Sequence, residues 1–448
     1  MSQEKAFAVS PIIETTNRPN EKINIYDGEL NFKTSNSSVI LAKGHIYFKW
    51  FPHLRAEFNA ELPNEIFGNS LFEADKIEML IGNNLIGNCY ISSQNIGVNH
   101  TVKGGFFDKF IIGDKTLTAK TFKFSILNFD DFLGENIEYV KENSKLYSKA
   151  RIKLQHEKFE ILIDKCEEFK EKFELLKENG GYQILHNGQI NILKNSFSFD
   201  QITELVNILG HFLSFVSGRK NNPLFLSALH NDEILYQEYT GYPNYPYEFR
   251  PSWNNTYSTK YLNSLFTNFY ELWKSNTDNK FFLTYIIHWY TEINCNSGYS
   301  EGSLIMAQTA LELLYNWLIV ENKKLIIGKD SENISASNKM RLLLSQLSIS
   351  YDVPEKFSGL EKFRIDNKCL DAIEAVVQIR NAIVHSQEEK RKRLSEIDEI
   401  VIYQAVQLST WYIEMSLLNI LKFEDKYSNR CSKEIIKAYK LELPPWKK

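Results

Sequence analysis

The sequence predicts an α+β chain: a β-rich N-terminal region forming an antiparallel sheet or sandwich, then a mixed α/β segment, then an all-α C-terminal bundle of four helices. Three observations carry this. From about Lys22 to Ser125, short clusters of β-forming residues are separated by turn residues. From Ser303 onward, apolar residues recur at helical spacing. Between the two, strand-like and helix-like stretches alternate. At 448 residues, 43% hydrophobic and 24% charged, the chain is long enough for two or three domains, each with its own core.

In chain order, residues 1–20 are polar, contain Pro11 and Pro19, and read as a flexible tail. Residues 21–222 form the β-rich and mixed domain. Its strands include residues 23–26, 45–50 and 121–124, with turns expected at Asp27-Gly28, Lys43-Gly44, Gly82-Asn83-Asn84 and Gly104-Gly105. Residues 150–155 and 159–164 read as paired strands, and 166–179 as a helix stopped by Gly180-Gly181. Residues 182–193 are strand-like, with a turn expected at Asn187-Gly188. Ser198 and Gln201 then spell a capping box for a helix carrying Ile202, Leu205, Leu209, Phe212 and Val216, closed by Gly218.

Residues 223–300 read as an aromatic-rich connecting region, and aromatic stripes of this kind are usually packing. The bundle is assigned to 301–425. Its helices are marked by Leu304 to Leu318, Met340 to Leu347, Leu370 to Val384 and Leu394 to Leu418. Residues 426–448 remain as a C-terminal extension.

Charge and cysteines narrow the function classes. A net charge of −4 excludes a strongly basic nucleic-acid coat and an acidic tail protein, while leaving room for a local basic site. The five cysteines are odd in number, far apart and without a CxxC pair. Reduced thiols in a cytoplasmic protein are the simplest reading. The start of the chain lacks a signal-peptide pattern. No run approaches ~18 uninterrupted apolar residues, so no membrane span is expected. His211, His230 and His288 have no metal-ligand spacing, and there is no P-loop, GxSxG or HExxH motif; neither metal nor cofactor is expected.

One cluster offers chemistry. The third bundle helix ends with Arg380-Asn381-Ala382-Ile383-Val384-His385. Cleavage of RNA through the ribose 2′-OH needs proton transfer, for which histidine titrates in the right range. It also needs fixed positive charge on the phosphorane, which a guanidinium supplies. Asn381 and His385 share a helix face, whereas Arg380 and His385 are ~140° apart on an ideal helix. Arg380 must therefore reach around, and two such helices facing each other in a dimer would bring the groups together. The ordinary alternative is a helix C-terminus, where cationic side chains are favoured anyway. With nine His in 448 residues a chance Rx4H match is unremarkable, and Arg151 to His156 is a second one. Next to the motif lies Lys390-Arg391-Lys392-Arg393, either a charged loop or a patch that steers a phosphate backbone.

These residues resemble the RNase signature of the HEPN superfamily of helical bundles. Gln308-Thr309-Ala310-Leu311-Glu312 is similar to the first helix of one HEPN branch. Residues 181–188, 209–218 and His288-Trp289-Tyr290 resemble ApeA-type anti-phage abortive-infection proteins. The resemblance implies a metal-independent endoribonuclease, active as a homodimer, that cuts RNA, with tRNA as one candidate, and leaves 2′,3′-cyclic phosphate ends. It implies that Arg380 holds the scissile phosphate, His385 moves protons, Asn381 supports either, Glu312 assists, and the β-rich region senses a phage-derived trigger. The competing expectation is a non-catalytic dimerisation or partner-binding bundle.

Overall fold

The computed structural model describes residues 6–35, 39–63, 71, 74, 76–95, 100–107, 109–141, 144–295, 299–384 and 396–447. The chain is α+β, with strands dominating the N-terminal half and helices the C-terminal half. It divides into two compact units, residues 1–210 with 221–248, and residues 211–220 with 249–448.

The first unit begins with a closed barrel. Strands β1 (Ile23–Thr34), β2 (Val39–Lys49), β3 (Arg55–Leu62), β4 (Ile77–Ile81), β5 (Asn84–Asn95) and β6 (His100–Phe106) close in the order β1-β2-β3-β6-β5-β4. Alternation is cleanest in β3, where every second residue is buried. The inward set includes Phe32, Ile46, Phe48, Phe58 and Met79, so side chains fill the barrel. Gly82 and Asn83 do turn β4 into β5. Asp27-Gly28 and Lys43-Gly44 do not make turns. Gly28 pairs with Gly44 inside the β1–β2 ladder, and a Cβ on Gly44 would collide with Ala60 of β3. Gly44 thus lets β2 and β3 approach closely.

An antiparallel eight-stranded sheet completes this unit. Its strands are β7 (Ile111–Gly113), β8 (Thr121–Leu127), β9 (Glu135–Lys141), β10 (Ser144–Gln155), β11 (Phe159–Lys165), β12 (Ile184–Ile192), β13 (Leu224–His230) and β14 (Glu233–Glu238). They run in the order β7-β14-β13-β8-β12-β11-β10-β9. Helix α1 (Phe169–Asn179) joins β11 to β12, and helix α2 (Phe199–Ser217) follows β12. The capping box forms as spelled: the Ser198 backbone N–H donates to Gln201 Oε1 at 3.0 Å, and the Gln201 N–H donates to Ser198 Oγ at 3.5 Å.

Three expectations are corrected here. Residues 6–20 are not a loose tail. The Ala8 N–H donates to the Glu138 carbonyl of β9, an edge strand with backbone groups left to pair, and the Asn20 N–H donates to the Tyr182 carbonyl ahead of β12. Asn187-Gly188 is not a turn. β12 runs straight through it, and Gly188 lies against the Phe124 ring, where no side chain would fit. Residues 223–300 are not a connection. β13 and β14 belong to the sheet, and residues 260–294 form two helices of the second unit. β13 is buried on both faces except at its end, so it lacks the alternation that marks a strand.

The second unit is helical. It contains α3 (Lys260–Ser275), α4 (Thr277–Asn294), α5 (Tyr299–Tyr315, continued by π-helical turns over Asn316–Asn322), α6 (Lys329–Asn333), α7 (Ala336–Gln346), α8 (Ser358–Asp366), α9 (Ala372–Val384) and α10 (Glu399–Ile420). α5 packs on α10, α4 and α7, and α9 packs on α8, α7, α5 and α10. Within 301–425, the short α6 and α8 had no counterpart in the four helices read from sequence. The stretch 300–322 is long and apolar enough by composition to cross a membrane, with mean hydropathy 1.3, yet 56% of that window is buried inside the protein, as in a core helix. The aromatics are packing residues: Trp253 is fully buried and its indole N–H donates to the Phe215 carbonyl at 3.0 Å. Arg430 and Glu414 form a buried ion pair, and Glu414 also accepts from the Tyr290 hydroxyl at 2.7 Å.

Candidate functional site

Arg380 and Asn381 sit in the last described turn of α9. That helix forms because Ala372, Ile373, Ala375, Val376, Val377, Ile379 and Ala382 make one buried face. Its start is held firmly. Asp371 Oδ1 accepts from the Glu374 N–H at 2.8 Å, while Glu374 Oε2 accepts from the Leu370 N–H at 3.0 Å. The Arg341 guanidinium of α7 grips the Asp371 carboxylate with Nε and Nη2, at 2.6 and 3.1 Å.

Arg380 folds back along its own helix, and its Nη1 donates to Asn381 Oδ1 at 3.3 Å. Its Nε is buried without a partner among the described residues. Asn381 lines a cavity of about 430 Å³ with Phe363, Asp366, Asn367, Gln378 and Glu396. Three amides and two carboxylates make this cleft rich in hydrogen-bonding groups and acidic in charge. Asp366, Asn367 and Glu396 were not singled out from sequence, since polar residues at helix ends carry no distinguishing pattern.

Other expected site residues lie elsewhere. His385, Lys390, Arg391, Lys392 and Arg393 fall outside the described residues. Glu312 is on α5, where it accepts from Gln308 Nε2 one turn earlier at 3.3 Å. No interaction joins it to Arg380 or Asn381 among the described residues. Arg151 is committed to a buried ion pair with Asp164, which leaves the second Rx4H match without a free guanidinium.

Among the described residues, the cysteines and the histidines His211 and His288 offer no competing centre. All five cysteines are free thiols. Burial pushes the Cys166 thiol up to about 11 and that of Cys89 up to about 12, the opposite of an activated nucleophile. His211 rests on the Trp273 ring at 4.9 Å between centroids. His288 lies 3.7 Å from Glu292, and burial, aided by Lys220, lowers its pKa. Among the described residues no group of three or more His, Cys, Asp or Glu is placed to hold a metal.

The fold and this cleft define a two-unit α+β protein whose candidate site lies at the end of one helix of the helical unit. Residues 114–250 match the family model described as the YopA central domain, and residues 276–440 that described as the YopA C-terminal domain. The chain is 27% identical over 445 residues to the SPbeta prophage-derived uncharacterized protein YopA of Bacillus subtilis (strain 168), covering 96% of each chain. No solved structure matches it.

Proposed function

We propose that this protein is a metal-independent HEPN-type endoribonuclease of the cytoplasm. In this reading it is a regulated toxin in anti-phage defence by abortive infection. It works as a homodimer whose paired α9 ends form one composite site. Arg380 neutralises the scissile phosphate, His385 transfers protons and Asn381 positions Arg380. Lys390, Arg391, Lys392 and Arg393 guide the RNA, tRNA being one candidate, and the first unit responds to a phage-derived trigger.

The observation that carries the reading is the hydrogen bond from Arg380 to Asn381, a residue that lines the cleft and precedes His385 by four positions. A guanidinium tied to a cleft-lining amide suits an oxyanion that reaches that cleft. A prophage-derived relative is compatible with a role in contests between phages.

A second reading is favoured by the acidic lining of the same cleft. Asp366 and Glu396 repel a phosphate backbone, as expected of a non-catalytic dimerisation or partner-binding bundle. Purified wild type, Arg380→Ala and His385→Ala proteins, incubated with total RNA and tRNA in EDTA, separate the two. The nuclease reading expects cleavage to 2′,3′-cyclic phosphate ends by wild type only, with all three proteins melting alike. Wild-type cleavage rates in His385→Ala would sink it.

A further inference from the structure

A second cavity, of about 540 Å³, lies in the first unit and has no part in the site above. One wall is the N-terminal segment, residues 7–11 and 13–15, lying on the sheet. The opposite wall comes from Glu138 and Tyr139 of β9, Ile184 and Asn187 of β12, and the chain entering α1 up to Lys172. Its size falls within the range of small-molecule sites.

Lys172 is the telling residue. It lines the cavity and is only 9% exposed; its backbone N–H donates to the Glu168 carbonyl, while its ammonium makes no hydrogen bond or ion pair among the described residues. Its stem is packed away while the ammonium, unpaired within the protein, stays open to whatever enters the cavity. Asn187, 6% exposed, adds a buried Oδ1 with no partner among the described residues. Against this cationic floor stand four carboxylates. Glu138 is 2% exposed and lines the cavity, and Glu14, Glu167 and Glu168 are exposed at its rim.

A ligand of one sign fails at one end. A multiply charged anion such as phosphate meets four carboxylates, and a simple cation leaves Lys172 unpaired. A molecule with one negative and one positive group answers both. We propose that this cavity binds a small zwitterion, an α-amino acid or a close relative, with its carboxylate on Lys172 and its ammonium group toward Glu138 and the rim. The inference is independent of whether the helical unit cuts RNA.

The test uses the full chain. The standard amino acids are titrated one at a time by calorimetry and thermal unfolding, with acetate, methylamine and inorganic phosphate as controls. At least one amino acid should bind and raise the unfolding midpoint, and no control should match it. Lys172→Met should weaken that binding at least about tenfold, the loss of one charge-assisted bond. The ligand-free midpoint should hold, because methionine keeps the packed stem and the ammonium has no partner in the protein to lose. Should that variant fail to fold, amine acylation of the wild type replaces it: Lys172 labelling should slow with the amino acid present. Absence of binding by every amino acid, equal binding by phosphate or acetate, unchanged affinity in Lys172→Met, or unprotected Lys172 overturns the proposal.

Discussion

Arg151 and Asp164 face each other across β10 and β11 as a buried two-point ion pair, and together they hold the N-terminal segment. Arg151 Nε and Nη2 donate to Asp164 Oδ1 and Oδ2 at 2.7 and 2.6 Å. Arg151 Nη2 also donates to the Phe7 carbonyl at 2.6 Å, and Asp164 Oδ2 accepts from the Val9 N–H at 2.8 Å. Pairing alone rarely stabilises a buried ion pair, but the additional hydrogen bonds satisfy its remaining groups.

Asp164→Asn should therefore destabilise the first unit by about 3–5 kcal/mol, because Arg151 is left buried without its counter-ion. Urea unfolding measures the loss. Limited proteolysis should cut near Pro11 sooner than in the wild type, and equal cutting rates would mean that the segment is held by other contacts.

His186 predicts an acid sensitivity. It is fully buried among Phe129, Phe132 and Phe169, with ring centroids 5.4, 5.4 and 5.2 Å away, and neither ring nitrogen has a partner among the described residues. Burial, and secondarily the Lys165 ammonium, holds its pKa well below 6.5. Below the ordinary histidine range the unfolded chain takes up a proton that the folded chain refuses. This contribution to stability is thus present above about pH 6.5 and is lost as the pH falls. His186→Phe, an apolar ring in an aromatic box, should flatten the fall in urea midpoint between pH 7 and pH 5 (about the range in which free histidine titrates). A pH profile identical to wild type would reject this.

Asp371→Ala should loosen α9 from its start. The change removes both the helix cap and the Arg341 grip, at a cost of about 1–2 kcal/mol. Amide exchange should speed up in α9 while α3 keeps its protection. If RNA cleavage is established, it should fall with it, since Arg380 and Asn381 ride on that helix.

Gly188→Ala should cost about 1–3 kcal/mol, because the new Cβ meets the Phe124 ring inside the sheet. Phe124→Leu in the same chain should recover part of that loss, a coupling between neighbours that a double-mutant cycle reads directly. Additive losses would place the cause in backbone conformation instead.

Much of the fold was legible because it is local. The Ser198–Gln201 capping box, the α1 stop at Gly180, the β10–β11 pair and the helical periodicity after Ser303 all depend on residues within a few positions of each other. α8 escaped notice because it is short and only Leu360 within it is buried. For the candidate site, sequence picked out Arg380 and Asn381 by spacing; the structure shows the two bonded to each other, while His385, toward which Arg380 was expected to reach, lies outside the described residues. The cleft residues Asp366 and Glu396 come from the end of α8 and the approach to α10, and no spacing connects them to Arg380.

The sequence by itself determined the order of strand and helix, since period-two and period-3.6 patterns are properties of short segments. Only the tertiary structure decided what single residues do. Glycine reads the same at a turn as at a close crossing, yet Gly82 turns a hairpin while Gly44 and Gly188 make room for Ala60 and Phe124. The polar N-terminal segment became a wall of a cavity because Arg151 and Asp164, far along the chain, present matching hydrogen-bond groups. Lys172 came to line that cavity with its stem packed and its ammonium unpaired because burial depends on what the rest of the chain packs around it.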